Sequence, residues 1–323
     1  MILALERTGK GLRTAPRDAL ISLSAPAESQ GRAFGVHRAM DTTGALLGPL
    51  AAFLVLSVAV DGYDAVFGVS ACVAVLGVVV LMLFVPSGGG AVRPRPSGAG
   101  AGPQRPDPVR LRDALDLLRL PRLRALGLCA VLLGLTTVSD AFVYLLLQRR
   151  TGIGEQWFPL LPLGTAAVFL LLLYTLFLLL AVPAGALADR IGRRTVFLTG
   201  HALLLAGYGL LLWAPDWPAL PFLVLALHGM FYAATDGVLP AAVAATVPGR
   251  LRATGLALVG TGQALARFVC SLAFGGAWTL WGTGPALAAA AAGLLCCAAV
   301  AGCVLRPTAP DDTLSLPEPT RSP

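Results

Sequence analysis

Apolar residues run in long blocks along this chain, and short polar connections separate the blocks. Stretches long enough to cross a bilayer fall at about 32–60, 63–86, 120–148, 161–188, 195–213, 218–242, 251–277 and 284–305. Each is close to the roughly 20 residues that an α-helical span needs at about 1.5 Å per residue. A helix apolar on every face has no side to offer water, so these blocks predict eight membrane-spanning helices. The first thirty residues differ. Glu6, Arg7, Lys10, Arg13, Arg17 and Asp18 are too many charges for a helix facing lipid. Yet Glu6, Lys10, Arg13 and Arg17 step by four, three and four, which gathers them on one helical face. On spacing alone this stretch reads as a soluble amphipathic N-terminus. The opening MILALERTGKGLR turns charged within six residues and does not read as a signal peptide.

Composition strengthens the membrane reading. Apolar residues make up 56% of the chain and charged residues 13%, about half the charged share of a soluble domain. Too few charges remain to cover a water-facing surface. The net charge of +7 raises a nucleic-acid reading, but the basic residues form no stripe with interleaved aromatics. They cluster between the apolar blocks instead. Arg93, Arg95, Arg105, Arg110, Arg112, Arg119, Arg122 and Arg124 lie in the stretch 87–124 that leads into the third block, and later clusters sit at Arg190, Arg193 and Arg194, at Arg250 and Arg252, and at Arg306. By the positive-inside rule these connections are cytoplasmic. Trp157, Trp213, Trp217, Trp278 and Trp281 all fall at the opposite ends, where an interfacial aromatic belt belongs. Arginine outweighs lysine almost completely, and with abundant Ala, Gly, Leu and Pro this points to a GC-rich bacterial source.

Between the second and third blocks lies the Gly/Pro-rich linker SGGGAVRPRPSGAGAGPQRP, without hydrophobic period. It runs into DPVRLRDALDLLRL, where Asp107 suits an N-cap and Pro108 the first helical position. Leu111, Leu115 and Leu118 share a face suited to the cytoplasmic membrane surface. Cys72, Cys129, Cys270, Cys296, Cys297 and Cys303 lie in apolar runs and predict small packing residues rather than a disulfide framework. His37, His201 and His228 are too scattered to form a metal motif, and no metal or cofactor is expected.

Two motifs carry a family resemblance. GALADRIGRR, from Gly185 to Arg194, resembles the G-x-L-x-D-R-x-G-R-R loop of the major facilitator superfamily, which joins its second and third helices and, in degenerate form, its eighth and ninth. The chemistry suits a short cytoplasmic hinge: Gly185 and Gly192 permit tight backbone approach. Asp189 can cap a neighbouring helix N-terminus, and Arg190, Arg193 and Arg194 hold the loop at an anionic surface. GALLGPL, with Gly44, Gly48 and Pro49, resembles the G-x-x-x-G-P motif in the fifth helix of the family, often associated with its antiporter branch. Gly44 and Gly48 form a small-residue face for close helix contact, and Pro49 favours a bend.

The resemblance implies an all-α membrane bundle with about nine of twelve transmembrane helices present. The block at 32–60 becomes the fifth helix, and 284–305 the twelfth. The charged N-terminus is then similar to the glycine- and arginine-bearing fourth helix of the family, which displaces the soluble reading. Helices one to three would have no counterpart, as a misassigned start or a fragmentary gene would explain. Residues 1–86 would close the first six-helix bundle, 87–119 form a cytoplasmic linker, 120–305 form the second bundle and 306–323 a cytoplasmic tail. An internal echo agrees: GRAFG at 31–35 precedes one block as LRATG at 251–255 precedes another, and APRDALI upstream matches LPAAVAA.

Ionisable groups inside spans are expensive and therefore functional candidates. Asp41, Asp140 and Asp236 are such groups, and a carboxylate in apolar surroundings can exchange protons near neutral pH. Asp41 could instead be neutralised by Arg38 or His37, three and four residues away. Arg13 and Arg17, with Lys10, could face an anionic substrate or simply form ion pairs. Arg267 has no local acid, which predicts a partner on another helix. GxSxG, GxxxxGK[ST] and HExxH are missing from the sequence, so neither an enzyme nor an ATP-driven pump is expected. The leading expectation is a monomeric, proton-coupled efflux transporter of a small molecule in the bacterial inner membrane. It would have partners in the lipid bilayer and the proton gradient but none in nucleic acid. A transport-incompetent fragment or a proton-coupled uptake symporter are the alternatives.

Overall fold

A computed structural model describes residues 2–58, 62–84, 116–151, 165–215 and 217–305, with side chains described from residue 13 onward except at 151 and 165–171. The described residues are helices and short turns. They run α1 (Ile2–Ser24), α2 (Gln30–Val58), α3 (Tyr63–Phe84), α4 (Pro121–Gly134), α5 (Asp140–Thr151), α6 (Thr165–Ile191), α7 (Arg193–Trp213), α8 (Leu220–Thr235), α9 (Val238–Thr246), α10 (Arg252–Trp281) and α11 (Thr283–Val304). Residues 107–115 of the linker's predicted amphipathic helix and the C-terminal tail beyond 305 lie outside the described residues; at the end of that stretch Leu118 is exposed while Leu117 is buried in the bundle.

Seven of the described helical stretches are long and apolar enough to cross a membrane. Two sequence blocks that read as continuous spans are interrupted. The block at 120–148 breaks between α4 and α5, at Leu135–Ser139, and the block at 218–242 breaks at Asp236–Gly237. An aspartate stands at each, Asp140 as the first residue of α5 and Asp236 within the second break, which a hydropathy average over the whole block conceals. The charged N-terminus is one continuous helix through Pro16.

Tight turns join several helices. Gly192, at φ 99°, turns the chain between α6 and α7, and Gly282, at φ 85°, does so between α10 and α11. That left-handed region is open to glycine at no steric cost. The sequence echo has a structural counterpart. Pro26 and Pro248 each precede a single 3-10 turn, Ala27–Ser29 and Gly249–Leu251, that leads into α2 and α10 respectively.

The main core is shared by α4, α5 and α7 to α11, where Leu123, Leu133, Leu147, Leu204, Tyr208, Leu220, Leu225 and Phe231 are fully buried. Helix α2 lies along α6, and α1 leans on α10. The α2–α6 seam is set by small residues one turn apart on both helices. A Cβ added at Gly31 would stand 2.5 Å from the Gly185 carbonyl oxygen, and one at Gly35 would stand 2.5 Å from that of Ala181. The close helix approach expected at Gly44 and Gly48 therefore lies at Gly31 and Gly35. Nothing among the described residues comes within 4 Å of a Cβ at Gly44 or Gly48, and both, with Pro49, are exposed. No residue of α3 is buried.

Candidate functional site

The break between α4 and α5 frees backbone groups inside the membrane, and local side chains recover them. Thr137 Oγ1 donates to the Leu133 carbonyl at 2.8 Å, and Thr136 Oγ1 to the same oxygen at 3.0 Å. From α7, the fully buried Tyr208 accepts the Val138 N–H at 2.8 Å and donates to the Thr136 carbonyl at 3.3 Å. A membrane interior tolerates irregular backbone only when it is satisfied in this way. The break is thus a built feature, and it presents Asp140 at the first turn of α5.

Asp140 meets two partners from α8. Tyr232 donates its hydroxyl to Asp140 Oδ1 at 2.7 Å, and His228 Nε2 lies 2.9 Å from the same oxygen. His228 is 3% exposed and Asp140 29%. Both contacts fall on one carboxylate oxygen. Among the described residues Oδ2 makes no protein hydrogen bond, and it is not among the sealed, unsatisfied atoms. One oxygen is anchored and the other is open.

A second cluster surrounds Asp236, at the break between α8 and α9. Arg38 from α2 places Nε 3.4 Å from Asp236 Oδ2 and Nη2 3.8 Å from Asp18 Oδ2 of α1. The Nε contact is electrostatic rather than a directed hydrogen bond, since that N–H has no aligned acceptor. Arg17 closes the chain with Nη2 3.0 Å from Asp18 Oδ1. Asp18, Arg38 and Asp236 line a cavity of about 300 Å³ that is also bounded by α9 and α10, whose apolar wall includes Leu239, Val243, Leu256 and Val259.

The arginine-rich end of the bundle is clasped by the loop motif. Asp189 accepts the Gly31 N–H on Oδ1 and the Arg32 N–H on Oδ2, both at 2.9 Å, at the N-terminus of α2. A carboxylate at that position meets unpaired N–H groups and the positive end of the helix dipole. Arg193 donates to Asp189 at 3.1 Å, to the Ala27 carbonyl at 2.7 Å and to the Ala241 carbonyl at 3.3 Å. Arg194 reaches the Gly302 carbonyl at 2.5 Å. Arg252 donates to the Ser22 carbonyl at 2.9 Å, near the end of α1.

Of the residues singled out by sequence, Arg17, Asp140, Asp189, Arg193, Arg194 and Asp236 stand in these clusters. Arg13 and Asp41 are exposed and join neither of them. Arg38 turns to Asp18 and Asp236 instead of ion-pairing with Asp41. Sequence reasoning passes over Asp18 as a site residue, and also His228, Tyr232 and Arg38. His228 and Tyr232 are one turn apart on an apolar helix, a spacing that also describes ordinary core residues, so only the facing Asp140 distinguishes them.

The family model of the Major Facilitator Superfamily matches residues 2–176 and again 158–322. The chain belongs to the major facilitator superfamily. It is similar to an uncharacterised MFS-type transporter of Methanocaldococcus jannaschii, at 29% identity over 281 residues, covering 86% of this chain and 65% of that protein. An uncharacterised protein of Mycobacterium bovis is 37% identical over 68 residues, 21% of this chain and 17% of its own. Among solved structures, the human organic anion transporter MFSD10 (TETRAN) shares the fold with a TM-score of 0.66 at 17% identity, covering 89% of this chain and 67% of that one. This member of the superfamily thus spans about two thirds of the length of the Methanocaldococcus relative that it matches along most of its extent. Membership makes it a multi-pass membrane protein of a transporter family.

Proposed function

We propose that this chain moves a small molecule across the bacterial inner membrane by proton-coupled alternating access, with Asp140 as the proton carrier. The observation behind this reading is the asymmetry of the Asp140 carboxylate. Tyr232 and His228 hold Oδ1, while Oδ2 is left open. A carboxylate oriented by two side chains, with one oxygen free, can accept and release a proton without repacking its helix. His228 is itself titratable and stands within hydrogen-bond reach, which gives the proton a second resting place. Substrate would occupy the cavity beside Asp236 and Arg38, one to two turns away along α8 and α9. The clasp of Asp189, Arg193 and the α2 N-terminus would hold one end closed and release it when the bundles rock. Efflux in exchange for protons is the favoured direction, by likeness of the GALLGPL stretch to antiporters of the family, and the working unit is a monomer.

The test is a flux assay in sealed vesicles with the purified chain and a panel of small organic solutes. Wild type is expected to move at least one of them in proportion to an imposed proton gradient. Asp140→Asn is expected to lose that dependence while keeping the wild-type melting profile. Proton-driven flux that survives this substitution would remove Asp140 from the mechanism. A second reading, a chain that folds in the membrane but transports nothing by itself, draws on α3, none of whose residues is buried, and on the exposed Arg13 and Asp41. A folded wild type with no flux for any solute would establish it.

A further inference from the structure

Basic side chains near the clusters described above have partners. Arg38 and Arg17 meet Asp18, Arg38 also meets Asp236, and Arg193 meets Asp189. Arg252 and Arg194 end on backbone carbonyls. Arg267 of α10 differs. Among the described residues no carboxylate lies within 4 Å of it, and its buried Nε has no hydrogen-bond acceptor. Its guanidinium stands 6.0 Å from the centroid of the Tyr232 ring, the outer limit of a cation–π contact.

Arg267 is also deep. It stands 15 residues from Arg252 and 14 from Trp281, the two ends of α10. At about 1.5 Å per residue that is roughly 20 Å from either end, too far for the side chain to reach lipid headgroups. A cation held at this depth with no carboxylate in direct contact is costly, and such residues mark substrate pathways.

Its neighbours supply a place for a ligand. Gln263 and Ala264, one turn before Arg267, line the cavity of about 300 Å³. Thr235 and Asp236, one turn after Tyr232, line the same cavity. Asp18 and Asp236 are already matched by Arg17 and Arg38, so the cavity's own carboxylates are neutralised. The charged side chain next to the cavity that has no carboxylate in direct contact is Arg267, one turn from Gln263 and Ala264 and within electrostatic range of Asp140.

We infer that Arg267 is the anchor for the acidic group of the substrate, which makes the transported solute a small organic anion with an apolar body. A guanidinium offers a planar pair of donors that matches a carboxylate, with the orphaned Nε as one of them. The apolar body would lie along Leu239, Val243, Leu256 and Val259. This assignment rests on the transport reading only for the word substrate; the anion site itself stands on Arg267 and the cavity.

Three probes of one shape test it: benzoate, benzamide and benzylamine, with the purified full chain in detergent. Benzoate is expected to raise the thermal midpoint, as any ligand of the folded state does, and the neutral and cationic analogues are expected to leave it unmoved. Arg267→Gln is expected to weaken benzoate binding at least about tenfold, and Arg267→Lys, which keeps the charge but loses the fork, to weaken it less. Should Arg267→Gln fail to fold, the wild-type ranking of the probes and Arg267→Lys decide. Equal stabilisation by benzylamine or benzamide, no shift with benzoate, or wild-type affinity in Arg267→Gln would each overturn the anion site. If benzoate binds through Arg267 but no proton-linked benzoate flux is found in vesicles, the site stands and the transport reading fails.

Discussion

Asp140 and Asp236 occupy equivalent kinds of position and live in opposite company. Both sit where an apolar span is interrupted, and both meet side chains from other helices. Asp236 faces Arg38, whose guanidinium does not give up its proton in a protein. Its charge is balanced permanently, and the pair ties α2 to the α8–α9 break. Asp140 faces a phenol and an imidazole, groups that can donate, accept or change charge. The residue type is the same, but one carboxylate is suited to holding helices together and the other to handling protons. The partner, more than the aspartate, sets the role.

The comparison breaks most visibly at Arg38. Removing one member of a buried ion pair leaves the other as an uncompensated charge, a cost of about 3 kcal/mol or more. Arg38→Ala leaves Asp236 without its cation and the more deeply buried Asp18 with Arg17 alone. We expect a lower melting temperature in detergent and poor membrane yield, partly rescued by adding Asp236→Asn. A melting profile equal to wild type would remove the ion-pair role from this cluster.

A subtler contrast pairs Asp236→Asn with Asp140→Asn. The first is expected to destabilise by about 1–2 kcal/mol, because Arg38 keeps Asp18 but loses its nearer partner. It should leave the proton dependence of flux in place. The second is expected to leave stability within about 1 kcal/mol, since an amide can still accept from Tyr232, while proton dependence is lost. Identical behaviour of the two variants, in melting and in flux, would erase the distinction.

Smallest is Tyr232→Phe, which deletes one of the two donors on Asp140 Oδ1 and keeps the ring under Arg267. We expect a loss of about 1 kcal/mol in thermal stability and a partial fall in proton-linked flux. An effect as large as that of Asp140→Asn would show that the hydroxyl, and not His228, carries the proton.

Much of this architecture is legible in the order of the residues. Long apolar blocks announce spans because a bilayer imposes a length and a composition on each helix. GALADRIGRR announces the clasp because a carboxylate between glycines and arginines suits a helix N-terminus, and Asp189 meets that of α2. The breaks are less legible. Thr136, Thr137 and Ser139 are compatible with a helix, and the backbone that Thr136 and Thr137 do not satisfy is met by Tyr208, 70 residues from Val138. The GxxxG signal draws attention to Gly44 and Gly48, whereas the notch that holds α2 to α6 is at Gly31 and Gly35. Small residues permit close approach but cannot name the helix that approaches.

By itself, the sequence determined that this is a membrane protein of the superfamily, where its apolar blocks lie, and which carboxylates fall within them. Those are consequences of local composition and of a short loop motif. Tertiary structure alone decided that Asp140 faces His228 and Tyr232, that Arg38 is shared between Asp18 and Asp236, and that Arg267 has no acid beside it among the described residues. These pairings join residues far apart in the chain. They depend on which helical faces are packed together, and that choice is made by the close fit of small and large side chains across the whole bundle.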